Sequence, residues 1–148
     1  EICVEKRRSN KIGNKITLAE HLVDRTSITN QLEKALKKHA RRIIEDKVEE
    51  YSPEISQDHN RIYIRNQETR WGSCSSKGNL NFNWRLILGP ECILDYVVVH
   101  ELVHLEEKNH NEEFWSKVRR IYPEYKRANR WLSENSSKLV FDESIMDN

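Results

Sequence analysis

Tyr96-Val97-Val98-Val99-His100-Glu101-Leu102-Val103-His104 is the stretch on which the reading of this chain turns. Successive side chains on a helix rotate by about 100°, so His100 and His104 project within about 40° of each other, with Glu101 on their flank. Two imidazoles so placed can share one zinc ion while the carboxylate reaches the water that the ion activates. Accident would produce such a pattern in a chain of this composition with a probability of roughly a few per cent, so its surroundings must decide. The competing reading makes both histidines core residues hydrogen-bonded to backbone, which better explains an isolated pair. Here Val97-Val98-Val99 and Leu102-Val103 weaken it. Inside so apolar a helix, each unpaired polar group would cost on the order of 2 to 7 kcal/mol, and one zinc ion satisfies all three groups.

A catalytic zinc takes three protein ligands and keeps a further position for water. His110 is the leading third candidate. On an unbroken helix it would point about 240° away from His104, so the helix has to stop first. Lys108-Asn109 supplies a C-terminal cation and a residue tolerant of the left-handed cap. The alternative is Glu113 or Glu112. Both fall in the first turn after Asn111, an expected N-cap, where the helix dipole alone accounts for a carboxylate.

Working outward, Gly89-Pro90 opens the helix that carries these residues, and the pattern runs it to about Lys108. Two further helices fit Asn111 to Tyr122 and Pro123 to Glu134. Upstream, Ile28, Leu32, Ala35, Leu36, Ile43, Ile44 and Tyr51 recur at helical spacing between charged faces, giving a long amphipathic helix ended by Pro53. Arg61 to Arg65 alternates as a strand. Two more extended runs, Thr69 to Cys74 and Leu80 to Ile87, flank Ser75-Ser76-Lys77-Gly78-Asn79 and are expected to pair as a hairpin, with Leu80, Phe82, Trp84 and Leu86 on one face. Weak strands are expected in 1–26 around Gly13, and a short one at Leu139-Val140-Phe141. The acidic tail, 142–148, reads as frayed. The fold class is α+β: a small twisted antiparallel or mixed sheet packed with a long N-terminal helix and the HExxH helix.

A length of 148 residues leaves room for one compact domain, 1–148. Lys and Arg number 25 against 24 for Asp and Glu, so no overall field holds this chain to nucleic acid or to a membrane. No apolar run is long enough to cross a bilayer, and the basic-then-apolar order of a secretory signal is missing. Cys3, Cys74 and Cys92 are odd in number, far apart and without a CxxC pair, which argues against a disulfide framework or a thiolate zinc site and for a cytoplasmic setting. His39 reads as a core or boundary residue; His21 and His59 read as solvated. Nothing in sequence pairs Cys74 with a base, so it reads as a packing residue. Trp71, Trp84, Trp115 and Trp131 read as mostly core, and packing is the simpler account of Tyr122 and Tyr125.

The run Arg70-Trp71-Gly72-Ser73-Cys74, then Asn83-Trp84-Arg85-Leu86, the HExxH stretch through Leu105, Asn109-His110, Phe114-Trp115 and Arg130-Trp131-Leu132 together resemble the YgjP-like metallopeptidase family, related to the SprT-like and WLM zincin proteases. The resemblance covers about Tyr51 to Leu139. It implies a zincin-type α+β fold, a zinc ion (Zn2+) held by His100, His104 and His110, and Glu101 as general base and acid. Members usually extend further toward the N-terminus, so an upstream β-rich piece is expected. The expected partner is a peptide or protein substrate, extended along a sheet edge for which Arg70, Trp71 and Gly72 are the candidates, Gly72 allowing close backbone approach. Two rival readings are carried. One is a nucleic-acid-associated module built on the basic and aromatic segment 115–131, less favoured than a solvated helix face; the other is a zinc-stapled binding domain without turnover. Oligomeric state is not legible.

Overall fold

The computed structural model describes residues 25–67 and 70–135. The expected strands before residue 25, the one at Leu139-Val140-Phe141 and the tail 142–148 lie outside the described residues. A long helix, α1 (Arg25–Tyr51), comes first. Ala40, Ile44 and Val48, each one turn beyond the last, are buried on one face. Pairs such as Glu33–Lys37 and Arg41–Glu45 line the outer surface at i, i+4. Pro53 lies in the 3-10 turn Ser52–Glu54, which ends the helix as expected.

Three short strands follow: β1 (Ile62–Arg65), β2 (Gly72–Cys74) and β3 (Leu80–Asn83). They form a mixed sheet of order β1-β3-β2, with β1 parallel and β2 antiparallel to β3. The β2–β3 connection closes through Ser75 N–H to Asn79 O and Gly78 N–H to Ser75 O, and Gly78 supplies the left-handed backbone, φ +75°, that the turn needs. Among the described residues β2 is an edge strand.

The extended run expected to reach Ile87 stops at Asn83 and turns into a 3-10 helix, Trp84–Leu88. Asn83 causes the switch. Its Oδ1 accepts from Arg85 N–H and caps the turn, while its Nδ2 donates to the carbonyls of Gln67 and Arg70. Trp84 and Leu86 are buried as expected, but from helical positions rather than from one strand face.

Helix α2 (Glu91–Val103) runs through the middle of the molecule, meeting α1, β2 and the two later helices α3 (Glu112–Ile121) and α4 (Tyr125–Asn135). That position explains why it is apolar on nearly all sides. Its outer end is tied to α1 by Lys47, whose Nζ lies 2.8 Å from both Glu91 Oε1 and Asp95 Oδ1. Burial opposes the Lys47 charge, but the hydrogen bonds it donates to Asp95 and Glu91, with their negative charges, outweigh that and raise its pKa.

The other end of α2 departs from the expected boundary near Lys108. The helix ends at Val103, and i→i+3 bonds from Leu105 N–H to Leu102 O and from Glu106 N–H to Val103 O tighten the following turn. Carboxylates oppose the dipole at a helix C-terminus, and two follow at once. Glu106 and Glu107 both turn instead to Lys117 Nζ, at 2.8 and 2.9 Å, and Glu106 also accepts from Ser56 N–H at 2.6 Å. Asn111 caps α3 as expected, its Oδ1 accepting from Phe114 N–H at 2.9 Å. Phe114 and Val118 of α3, with Ala128 and Leu132 of α4, complete the core. No helix of the described residues is long and apolar enough to cross a membrane.

Candidate metal centre and active site

His100 stands in the last turn of α2, His104 caps its C-terminus, and His110 returns from the loop before α3. Their Nε2 atoms form a nearly equilateral triangle: 3.2 Å from His104 to His100, 3.1 Å from His104 to His110 and 3.1 Å from His110 to His100. Glu112 and Glu113, the alternative third ligands, are exposed in the first turn of α3. His100, His104 and His110 are the group of potential metal ligands that converges among the described residues.

Protonation states follow from the outer nitrogens. His104 Nδ1–H donates to the Glu107 carbonyl at 2.9 Å, and His100 Nδ1 lies 3.2 Å from the Tyr96 hydroxyl. Burial, with the neighbouring imidazoles, depresses the His100 pKa to about 3; burial also lowers those of His104 and His110. A neutral ring protonated at Nδ1 presents a lone pair at Nε2. Three ring nitrogens facing one another cannot all be matched by hydrogen bonds, since each is either donor or acceptor and at least one pair must be alike. A cation satisfies all three. The spacing also suits zinc, because the corners of a tetrahedron with Zn–N bonds near 2.05 Å are about 3.3 Å apart.

Aromatic rings hold the triangle. Phe114, fully buried, packs against all three imidazoles with centroids 4.9, 4.5 and 4.8 Å away, and Trp115 stacks on His110 at 5.8 Å. Tyr125 stacks in turn on Trp115. Tyr96 and Phe114 stand in the sequence motifs without a role of their own, and Trp115 reads there as packing; the structure sets all three against the imidazoles. A signal for Tyr96 was present, because residues 96, 100 and 104 share one helical face.

Glu101 is buried, 6% exposed, on the side of α2 that meets β2. Burial raises its carboxyl pKa to about 8, against the pull of the Arg70 guanidinium. A Cβ on Gly72 would lie 3.0 Å from both Glu101 Cγ and Oε1, and 3.1 Å from Asn81 O. Gly72 is a place of close approach, but the approaching group is a side chain of the protein itself: the missing Cβ makes room for Glu101. Arg70, Trp71 and Gly72 all border the cavity of about 270 Å³ between β2 and α2 onto which His100, Glu101 and His104 open. Arg70 is exposed at its edge, whereas Trp71 is buried. Cys74 also borders it, a free thiol pushed up to about 11 by burial and by the Glu101 charge, hence a poor nucleophile.

The basic segment 115–131 is largely engaged within the protein. Lys117 pairs with Glu106 and Glu107, Arg119 with Glu112 and Arg127 with Glu124, while Arg120 donates to the Glu54 carbonyl.

The α+β fold brings three imidazoles and a buried carboxylate together beside a strand that is an edge among the described residues, and the class of protein is that of the metallopeptidases, which are hydrolases. More particularly, the chain belongs to the YgjP-like metallopeptidase family, whose domain model matches residues 2–135. Among solved structures it is similar to the metallopeptidase zymogen of Pyrococcus abyssi, abylysin. The two are 22% identical, the match covers 67% of this chain and 97% of that one, and the TM-score is 0.56, a likeness of fold. No curated protein matches the chain.

Proposed function

We propose that this chain is a single zinc-dependent peptidase domain in which His100, His104 and His110 hold the metal and Glu101 is general base and acid. The observation that carries the reading is the convergence of three neutral Nε2 atoms beside a buried carboxylate. Zinc, when bound, supplies Lewis acidity, which polarises the scissile carbonyl and lowers the pKa of water. The chain's own residues do the rest. Glu101 takes a proton from the attacking water as its oxygen bonds to the carbonyl carbon, then delivers it to the amine nitrogen as the C–N bond breaks. Tyr96 and the Glu107 carbonyl hold the outer nitrogens of His100 and His104, keeping both rings turned inward. Substrate lies along β2, an edge strand among the described residues, where an extended peptide can add by backbone pairing.

The test is metal content and turnover together. Protein prepared without added metal is expected to carry one zinc per chain by elemental analysis, and chelation is expected to remove peptide hydrolysis, with zinc restoring it. Stoichiometric zinc without cleavage of any peptide would leave a zinc-stapled binding domain instead.

Gly72→Val separates the seat of Glu101 from a purely substrate-facing role. The added side chain meets Glu101 and a backbone carbonyl that cannot swing away, so kcat is expected to fall about 10²-fold with zinc retained. Overpacking lowers stability by about 1–3 kcal/mol as well. A rise in KM alone, with kcat unchanged, would return Gly72 to the role of a substrate contact.

A further inference from the structure

The cavity over the imidazoles is bordered by two exposed cations, Arg70 and Lys108, and by one carboxylate, Glu101, which is buried. Neither cation forms an ion pair among the described residues, in contrast to Lys117, Arg119 and Arg127 on the neighbouring helix faces. They also occupy different ends of the edge. Arg70 precedes β2, while Lys108 borders both this cavity and a second one of about 360 Å³, which continues past Cys74 and His104 toward the β2–β3 turn. From Arg70 to Cys74 is four residues of chain, about 13 Å if fully extended, the reach of a peptide segment that passes the imidazoles and leaves on both sides.

The second cavity is lined by one further cation, Lys77, and one carboxylate, Asp58, while beside the imidazoles the two cations Arg70 and Lys108 stand against Glu101 alone. We infer that Arg70 and Lys108 are specificity-determining residues that select peptides with acidic side chains on both flanks of the bond to be cut. This deepens the peptidase reading and rests on it. Internal carboxylates fit better than a terminal one because the groove runs on beyond Lys108 into the second cavity. A nucleic acid fits less well, because three of the six basic groups of 115–131 are in ion pairs and a fourth, Arg120, donates to the Glu54 carbonyl.

The test measures binding apart from cleavage. Short fluorescent peptides, acetylated and amidated to remove terminal charge, would be compared with acidic, neutral or basic residues around one central bond, using anisotropy on the zinc-loaded protein. The acidic peptide is expected to bind about tenfold more tightly than the neutral one, an advantage that shrinks in high salt. Arg70→Gln with Lys108→Gln should erase that difference, and Arg70→Glu with Lys108→Glu should turn the preference toward the basic peptide. Equal affinity for acidic and neutral peptides would overturn the inference while leaving the peptidase reading in place if both are cleaved. Preferential binding of the acidic peptide with no cleavage of any would do the reverse. Preference for a neutral peptide with a free C-terminal carboxylate, or tighter binding of a single-stranded oligonucleotide, would also overturn it.

Discussion

Glu101→Gln is expected to retain zinc and fold while losing about 10³-fold in kcat for peptide hydrolysis, within the range for a general acid–base group. The amide fills the same space, and it suits the seat better than a charged carboxylate does, because burial already disfavours the ionised form of Glu101. None of the three converging ring nitrogens is touched, so zinc affinity and thermal stability should be unchanged or slightly improved. What disappears is the ability to accept the proton of the attacking water and pass it to the leaving amine. Zinc stoichiometry, a melting curve and steady-state hydrolysis of one peptide decide the matter. Loss of the metal would make Glu101 a ligand, and full activity with zinc in place would remove the proton-transfer role altogether.

The parts of the site that could be read from sequence are those set by local geometry. His100, Glu101 and His104 lie within five consecutive residues, and helical rotation alone brings them to one flank. His110 was legible by ligand type, but the stop that lets it return was misplaced. The helix ends after Val103 because Glu106 is engaged by Lys117 and by Ser56, fifty residues upstream, a contact no local pattern announces. The sheet shows the same division. The β2–β3 hairpin followed from its turn residues, whereas the parallel pairing of Ile62 with Leu80 crosses from β1 to β3 without a local signal. At Trp84–Leu88 the apolar alternation continued, yet the side chain of Asn83 capped a 3-10 helix and ended the strand. Gly72 was legible as a place of close approach, but not that the approaching group is Glu101, because that meeting depends on how α2 packs against β2.

His110→Ala should produce the largest change in metal binding. His100 and His104 belong to one turn of backbone and remain paired whatever the loop does, but two imidazoles leave the triangle open on the side where His110 Nε2 stands 3.1 Å from each. Losing an outer-shell partner lowers zinc affinity roughly 10–100-fold, and losing a ligand should exceed that. The fold should survive, because His110 is half-buried and the ring that fills the space beneath it, Phe114, stays in place. Glu113→Ala supplies the contrast. That carboxylate is exposed in the first turn of α3, where its contribution is a dipole interaction of about 0.3–1 kcal/mol, so zinc affinity should hardly move. Both variants would be titrated against a competing chelator at one pH, since imidazole binds zinc only when neutral. If Glu113→Ala lost the metal and His110→Ala kept it, the third ligand would be the carboxylate, and α3 would have to turn toward the imidazoles for its side chain to reach them.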